Sequence, residues 1–306
     1  MLYSYSMVFF SKNKTFAVIL LLSTFIDPIA GISGLIAVST ANLAAYLIGF
    51  NRLNIGSGFY GFNSLLVGLG IGGHFQFTPE LFLLLVFASL MTLFLTLFIE
   101  GMIGKYGLPF LTFSFLLGFW LVLLAARRYS GLNLSERGIF TDNELYTWGG
   151  SALVNAHTWL KEISLPGALG TYFKSLSAIF FQYHLFPGIL IALGLFYYSR
   201  IAFLLSLLGF YSAHLFYQVI GADLNELSYS FIGFNFILSA IAIGGFFIIS
   251  SRTSFLWVVL LTPVISIILS GSAELLSYFQ LSTFSLPFNV VVIVFFTCFG
   301  SGRSLV

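Results

Sequence analysis

The chain has 306 residues, 59% of them hydrophobic and only 7% Asp, Glu, Lys or Arg, and its mean hydropathy is +1.03. Such a composition excludes a water-soluble domain and marks an integral membrane protein. The net charge of +2 is too small to imply a nucleic-acid partner, and the single cysteine, Cys298, leaves neither a disulfide framework nor a cysteine metal site.

The amino terminus carries no basic segment and no small-residue cleavage site, so no removable signal peptide is expected. Residues 3–11 form an apolar segment too short to cross a bilayer, best read as a re-entrant pore helix. Apolar spans follow near 15–26, 30–50, 57–73, 80–103 and 108–126. The long polar stretch comes next, about 127–165, with Arg127, Arg128, Glu136, Arg137, Asp142, Glu144, Lys161 and Glu162. It reads as a surface crossover rather than a domain. A second short apolar segment, 172–182, precedes spans near 187–199, 201–220, 228–249, 254–271 and 285–300. A β-barrel would show short alternating segments instead of these runs. The expected organisation is a first membrane repeat over 1–126, a linker over 127–165 and a second repeat over 166–306.

Two stretches support the word repeat. Phe59-Tyr60-Gly61-Phe62-Asn63-Ser64-Leu65-Leu66 returns 172 positions later as Phe231-Ile232-Gly233-Phe234-Asn235-Phe236-Ile237-Leu238, and each copy runs on to a Gly-Gly pair, Gly72-Gly73 and Gly244-Gly245. Five crossings per half is an odd number, so the second half would enter the membrane with the opposite orientation. With a cytoplasmic amino terminus, Lys12, Lys14, Arg52, Lys105, Arg200, Arg252 and Arg303 fall inside with Glu100 as the one nearby acid, and Asp27, Asp142, Asp223 and Glu226 fall outside. That split follows the positive-inside rule and places both termini in the cytoplasm of a multi-pass cell-membrane protein. In membrane proteins an internal repeat commonly brackets a substrate path near the midplane.

Gly58-Phe59-Tyr60-Gly61-Phe62-Asn63-Ser64-Leu65-Leu66-Val67-Gly68 resembles the Gly-x-x-Gly-Phe/Tyr-Asn-x-x-Leu-Val signature of the urea transporter family. The second copy keeps Gly233, Phe234, Asn235 and Leu238. The Leu-Pro-x-x-Thr mark of that family matches Leu108-Pro109-Phe110-Leu111-Thr112 in full and Leu281-Ser282-Thr283-Phe284-Ser285 in degenerate form. Phe62 to Thr112 is 50 residues and Phe234 to Ser285 is 51, so Ser285 stands where a second threonine is expected. Val8-Phe9-Phe10-Ser11 and Ile179-Phe180-Phe181-Gln182 are similar to the motif that opens each half in the family.

The resemblance implies two inverted five-helix repeats with two re-entrant pore helices, a pore through each protomer of a homotrimer, and passive, selective urea permeation without a cofactor. By position, Phe10, Phe62, Phe181 and Phe234 with Leu66 and Leu238 match the walls of the slot, and Thr112 and Ser285 the hydroxyls of its constriction. A planar, neutral solute suits flat apolar walls edged by oxygens. For most of the 38 Phe residues lipid or core contact is the default; their place in the duplicated motif singles out these four. Asn63 and Asn235 read as structural ties, Gly61 and Gly233 as sites of close helix approach, and Pro109 as the break that frees a carbonyl for the pore.

The match departs from the family at Met7 and Ala178, apolar where a Gln or Glu is expected at the head of each re-entrant helix. Ser6, Ser11, Ser177 and Gln182 are nearby polar groups that would substitute. The departure keeps open a channel of the same fold for another small neutral amide or polar solute. Glu100 and Glu274, 12 and 11 residues before Thr112 and Ser285, keep open an ion-coupled secondary transporter. His74, His157, His184 and His214 lack regular spacing and are expected in loops or at helix ends. Nothing in the sequence indicates an enzyme.

Overall fold

The structure is a computed structural model. It describes residues 1–135, 137–162, 165, 167–182, 184–222 and 232–300, with backbone alone for 137–145, 148, 160–162 and 300. The start of the second motif copy at Phe231, together with Glu136, Asp223, Glu226 and Arg303, therefore lies outside the described residues, as do the side chains of Arg137, Asp142, Glu144, Lys161 and Glu162.

The described residues form an all-α integral membrane protein. In chain order the helices are α1 (Leu2–Met7), α2 (Lys14–Thr24), α3 (Pro28–Ile48), α4 (Arg52–Gly56), α5 (Phe62–His74), α6 (Pro79–Ile103), α7 (Phe113–Ala126), α8 (Arg137–Glu162), α9 (Gly167–Ala178), α10 (Leu185–Tyr198), α11 (Arg200–Ile220), α12 (Phe234–Ile241), α13 (Arg252–Ser277) and α14 (Leu286–Gly300). The last turn of α12 widens into a π-helical stretch, Ala242–Phe246. The polar crossover holds a 26-residue helix, α8.

Local chemistry sets the boundaries. Asp27 accepts from the backbone N–H groups of Ile29 and Ala30 to cap α3, with Pro28 at its first position, and Gly49 in the left-handed conformation ends it. Its partner in the second half, α11, is capped by Ser199 and ended by left-handed Gly221. Thr78 with Pro79 opens α6, and a reciprocal Ser251–Ser254 capping box opens α13.

Four helical stretches, Pro28–Ile48, Pro79–Tyr106, Arg200–Ile220 and Arg252–Ser277, are long and apolar enough to cross a membrane. α6, with 25 residues, spans about 37 Å against a hydrocarbon core of roughly 30 Å. One of its faces buries Leu81, Leu85 and Leu93 while Phe87, Phe94 and Phe98 project outward, as expected where the solvent is lipid.

The other expected spans are shorter. Over 108–126 the helix begins only at Phe113, because Pro109 offers no N–H and Leu111 is left-handed at φ 46. Over 57–73 it begins at Phe62, after a turn that includes Gly58 at φ 83. At 14 residues α7 reaches about 21 Å, so the non-helical chain before it supplies the rest of the crossing.

α3 packs on α5 and α11 on α12, equivalent pairs in the two halves. Gly61 and Gly233 show why: a Cβ on Gly61 would collide with Asn42 of α3, and one on Gly233 would lie 3.1 Å from the ring of Phe210 on α11. Buried hydroxyls lace the helices together. Ser64 donates to Ser89 O, Ser89 to Ala37 O, and Tyr172 bonds Ser206 at 2.7 Å. His157 and His214 lie within α8 and α11 rather than in a loop or at a helix end, and His157 Nε2 is 3.2 Å from His184 Nε2, which joins the crossover helix to the start of α10.

Candidate functional site

Four breaks in helical geometry build the site. Phe10 and Phe181 follow α1 and α9 with φ of 58 and 57, and Leu111 and Phe284 precede α7 and α14 with φ of 46 and 44. Left-handed geometry costs a residue with a side chain about 1–2 kcal/mol, so each needs tertiary support.

Asparagines supply it at the second pair. Asn63 donates to Leu111 O at 3.3 Å, and Asn235 donates to Phe284 O at 2.9 Å. Asn235 Oδ1 also accepts from the backbone N–H of Phe288, 3.2 Å away. Asn63 and Asn235 thus hold the segments that present Thr112 and Ser285, one from each half.

Those two hydroxyls meet. Thr112 Oγ1 lies 2.7 Å from Ser285 Oγ, and both residues are buried. Behind them stands Asn289 on α14, with no exposed surface. Its Oδ1 accepts from the backbone N–H of Thr112 at 2.9 Å, and its Nδ2 donates to Thr112 Oγ1 at 2.7 Å and to Ser285 O at 2.6 Å, with a longer contact of 3.3 Å to Ser285 Oγ.

A cavity of about 240 Å³ opens beside the hydroxyl pair. Leu66, Phe181, Phe234, Leu238, Thr112 and Ser285 line it, joined by residues the sequence did not single out, among them His74, Phe115 and Phe284. Phe115, Phe119, Phe181 and Phe284 form a ring cluster with centroid separations of 5.0 to 5.9 Å. Phe10 and Phe62 do not line this cavity. Phe62 packs on Phe110 at 5.8 Å, and Phe10 stacks on Phe246 at 4.7 Å with further ring contacts to Phe247 and Phe288.

Repeat positions explain that difference. His74 faces Phe181 at 6.5 Å, while Phe246, 172 residues after His74, stacks on Phe10. A smaller, polar ring stands at the Phe181 side and a larger apolar one at the Phe10 side. His74 Nδ1 is held 2.9 Å from Gly70 O, so its ring is fixed from its own helix.

The polar groups near α1 and α9 are engaged elsewhere. Ser6 donates to Ser11 O at 2.9 Å and Ser177 to Lys174 O at 2.8 Å, Ser11 Oγ accepts from Asn13 N, and Gln182 ties the α2–α3 turn by accepting from Asp27 N and donating to Thr24 O. None of the four lines the cavity, whereas Ala178 does. Glu274 is exposed and Glu100 half-buried, and neither lines the cavity.

Residues 1–299 match the family described as UT, urea transporter. The chain belongs to the urea transporter family. No curated protein sequence matches it. As a urea transporter family member it is a multi-pass membrane transport protein rather than an enzyme, and the family's substrate is urea. Among the described residues no group of three or more His, Cys, Asp or Glu is placed to hold a metal ion.

Sequence reasoning missed His74 as a lining residue and Asn289 altogether. Asn289 is a carboxamide inside the apolar run of α14, four residues after Ser285. That spacing puts both on one helix face and was the available signal.

Proposed function

We propose that this chain is a passive, selective urea channel. The observation that carries the reading is the junction of Thr112 and Ser285, one hydroxyl from each half, beside a cavity walled by Phe181, Phe234, Leu66 and Leu238. Apolar rings admit a thin planar solute, and hydroxyls that both donate and accept replace the water it sheds. Phe10 and Phe62 belong to the same slot in this reading, continuing it beyond the hydroxyls on the Phe246 side. Pro109, with Gly61 and Gly233, keeps the broken-helix segments close enough to their neighbours to hold that shape.

The architecture proposed is two inverted five-helix repeats, 1–126 and 166–306, joined by a crossover over 127–165, with α1 and α9 as re-entrant pore helices. Matching pairs of left-handed residues, Phe10 with Phe181 and Leu111 with Phe284, support it. The assembly proposed is a homotrimer with one pore per protomer, in the cell (inner) membrane with both termini cytoplasmic. No cofactor and no nucleic acid enter the mechanism. An ion-coupled carrier is the weaker reading, because Glu100 and Glu274 do not line the cavity.

Stopped-flow swelling of proteoliposomes under a urea gradient tests the reading. The expected result is urea entry well above that of protein-free vesicles and indifferent to an imposed proton gradient. Entry that follows the proton gradient would establish a coupled carrier instead. Absent urea flux with entry of another amide would show the same fold serving a different small solute.

A further inference from the structure

We propose that Phe246 is the size-determining residue on the Phe10 side of the path, a ring that must part from Phe10 before a solute passes. This rests on the channel reading above. The Thr112–Ser285 hydroxyl pair joins equivalent positions of the two halves, so each residue on one side of it has a repeat counterpart on the other. The cavity follows only part of that correspondence. Both members of the pairs Leu66–Leu238 and Val8–Ile179 line it, but His74, Phe115 and Phe181 do so without their counterparts Phe246, Phe288 and Phe10.

Those three counterparts close on one another. Phe10 stacks on Phe246 with ring centroids 4.7 Å apart and an interplanar angle of 22°, and its centroid lies 6.3 Å from that of Phe288. Beside the cavity the same places are looser, with His74 edge-on to Phe181 at 6.5 Å and 76°. A planar solute between two parallel rings needs about 7 Å from face to face, two contact distances of roughly 3.5 Å. The Phe10–Phe246 stack leaves no such gap, whereas the chamber beside His74 holds about 240 Å³.

Phe246 is also held differently from His74. A phenyl ring has no atom to repeat the bond between His74 Nδ1 and Gly70 O. The equivalent carbonyl, Ala242 O, accepts instead from the backbone N–H of Phe247 at 2.9 Å, which closes a π-helical turn where α5 stays α-helical. Hydroxyls of Ser250 and Ser254 donate to Gly244 O within that turn and fix it. The wider turn re-aims Phe246 although the two motif copies keep a constant spacing. With 47% of its surface exposed, the ring has room to change rotamer away from Phe10 without entering packed core.

Proteoliposome flux of urea and methylurea through the wild-type protein, Phe246→Ala and Phe246→His tests the proposal; histidine is the side chain the first half already carries at this place. Methylurea is thicker than planar urea by its methyl group and must drive the rings further apart. In Phe246→Ala methylurea flux is expected to rise about fivefold, the worth of one stacked aromatic pair, and urea flux by less, so that the urea-to-methylurea ratio falls. Phe246→His is expected to move the ratio in the same direction. Phe87→Ala, which removes an outward ring on α6, is expected to leave it where it is. An unchanged ratio in folded Phe246 variants, or an equal fall in Phe87→Ala, would overturn the proposal and leave Phe246 a packing ring. Should Phe246→Ala not assemble, Phe246→His reads the same ratio, and wild-type protein that passes methylurea as fast as urea overturns the proposal without any variant. Vesicles of the wild type and both variants that pass no urea would instead count against the channel reading itself, and the proposal falls with it.

Discussion

Thr112 and Ser285 differ by one methyl, yet Asn289 holds them differently: Thr112 by both ends of the carboxamide, through its backbone N–H and its hydroxyl, and Ser285 by the NH₂ group alone, chiefly through its carbonyl. Thr112→Val keeps the shape and removes the hydroxyl, so the Asn289 NH₂ loses an acceptor and the cavity loses a polar edge. Urea flux in proteoliposomes is expected to fall about tenfold, with the protein still folded. Ring truncation acts on width instead. Phe62→Ala and Phe234→Ala are both expected to blur discrimination between urea and bulkier analogues, and more at Phe234, which lines the cavity, than at Phe62, which packs on Phe110. Unchanged discrimination in both variants would take these rings out of the wall. Phe234 and Leu238 were readable in the sequence because a four-residue spacing recurs inside a duplicated motif. Asn289 was not, since its counterpart Leu116 is apolar and no repeat draws attention to it. His74 stayed hidden for the same reason, with Phe246 at the corresponding place.

Helix ends in this protein are decided partly by residues far away in the chain. Pro109 announces the break before α7, but at Phe284 Ser282 replaces proline and the one local signal is Pro287, which marks the start of α14 without fixing the turn before it. There the turn is held by Asn235, about fifty residues earlier, and a reading of local propensity has no access to such a bond. Asn235→Ala would leave the N–H of Phe288 and the carbonyl of Phe284 without their side-chain partner. Thermal unfolding in detergent is expected to report a loss of about 1–3 kcal/mol. Gln280 offers the opposite case. It is left-handed at φ 51 where the first half has Gly107 at φ 68, and Arg127 donates to its carbonyl and to that of Phe279. Gln280→Gly removes the strain and leaves both carbonyls in place. A gain of up to about 1 kcal/mol is expected in the same measurement, the relief of left-handed strain less the added freedom of glycine in the unfolded chain.

At the level of the whole molecule, composition was enough to specify the membrane as solvent, and the repeat enough to suggest how the halves are arranged. Which groups remain available to a solute was not legible, because that depends on hydrogen bonds made across the junction of the two halves. The proposed trimer predicts a protein mass near three times 33.8 kDa by light scattering in mild detergent once bound detergent is subtracted, and a mass of one protomer would remove it. In the proposed path the two sides of the hydroxyl pair would be unlike: a roomy chamber with His74 on one, closely stacked Phe10 and Phe246 on the other. In a passive pore such asymmetry cannot drive net movement between equal concentrations, since no free energy source is tied to it. It acts on kinetics instead. Uptake and efflux are free to saturate at different concentrations, while detailed balance holds the ratio of maximal rate to half-saturation concentration equal from either face.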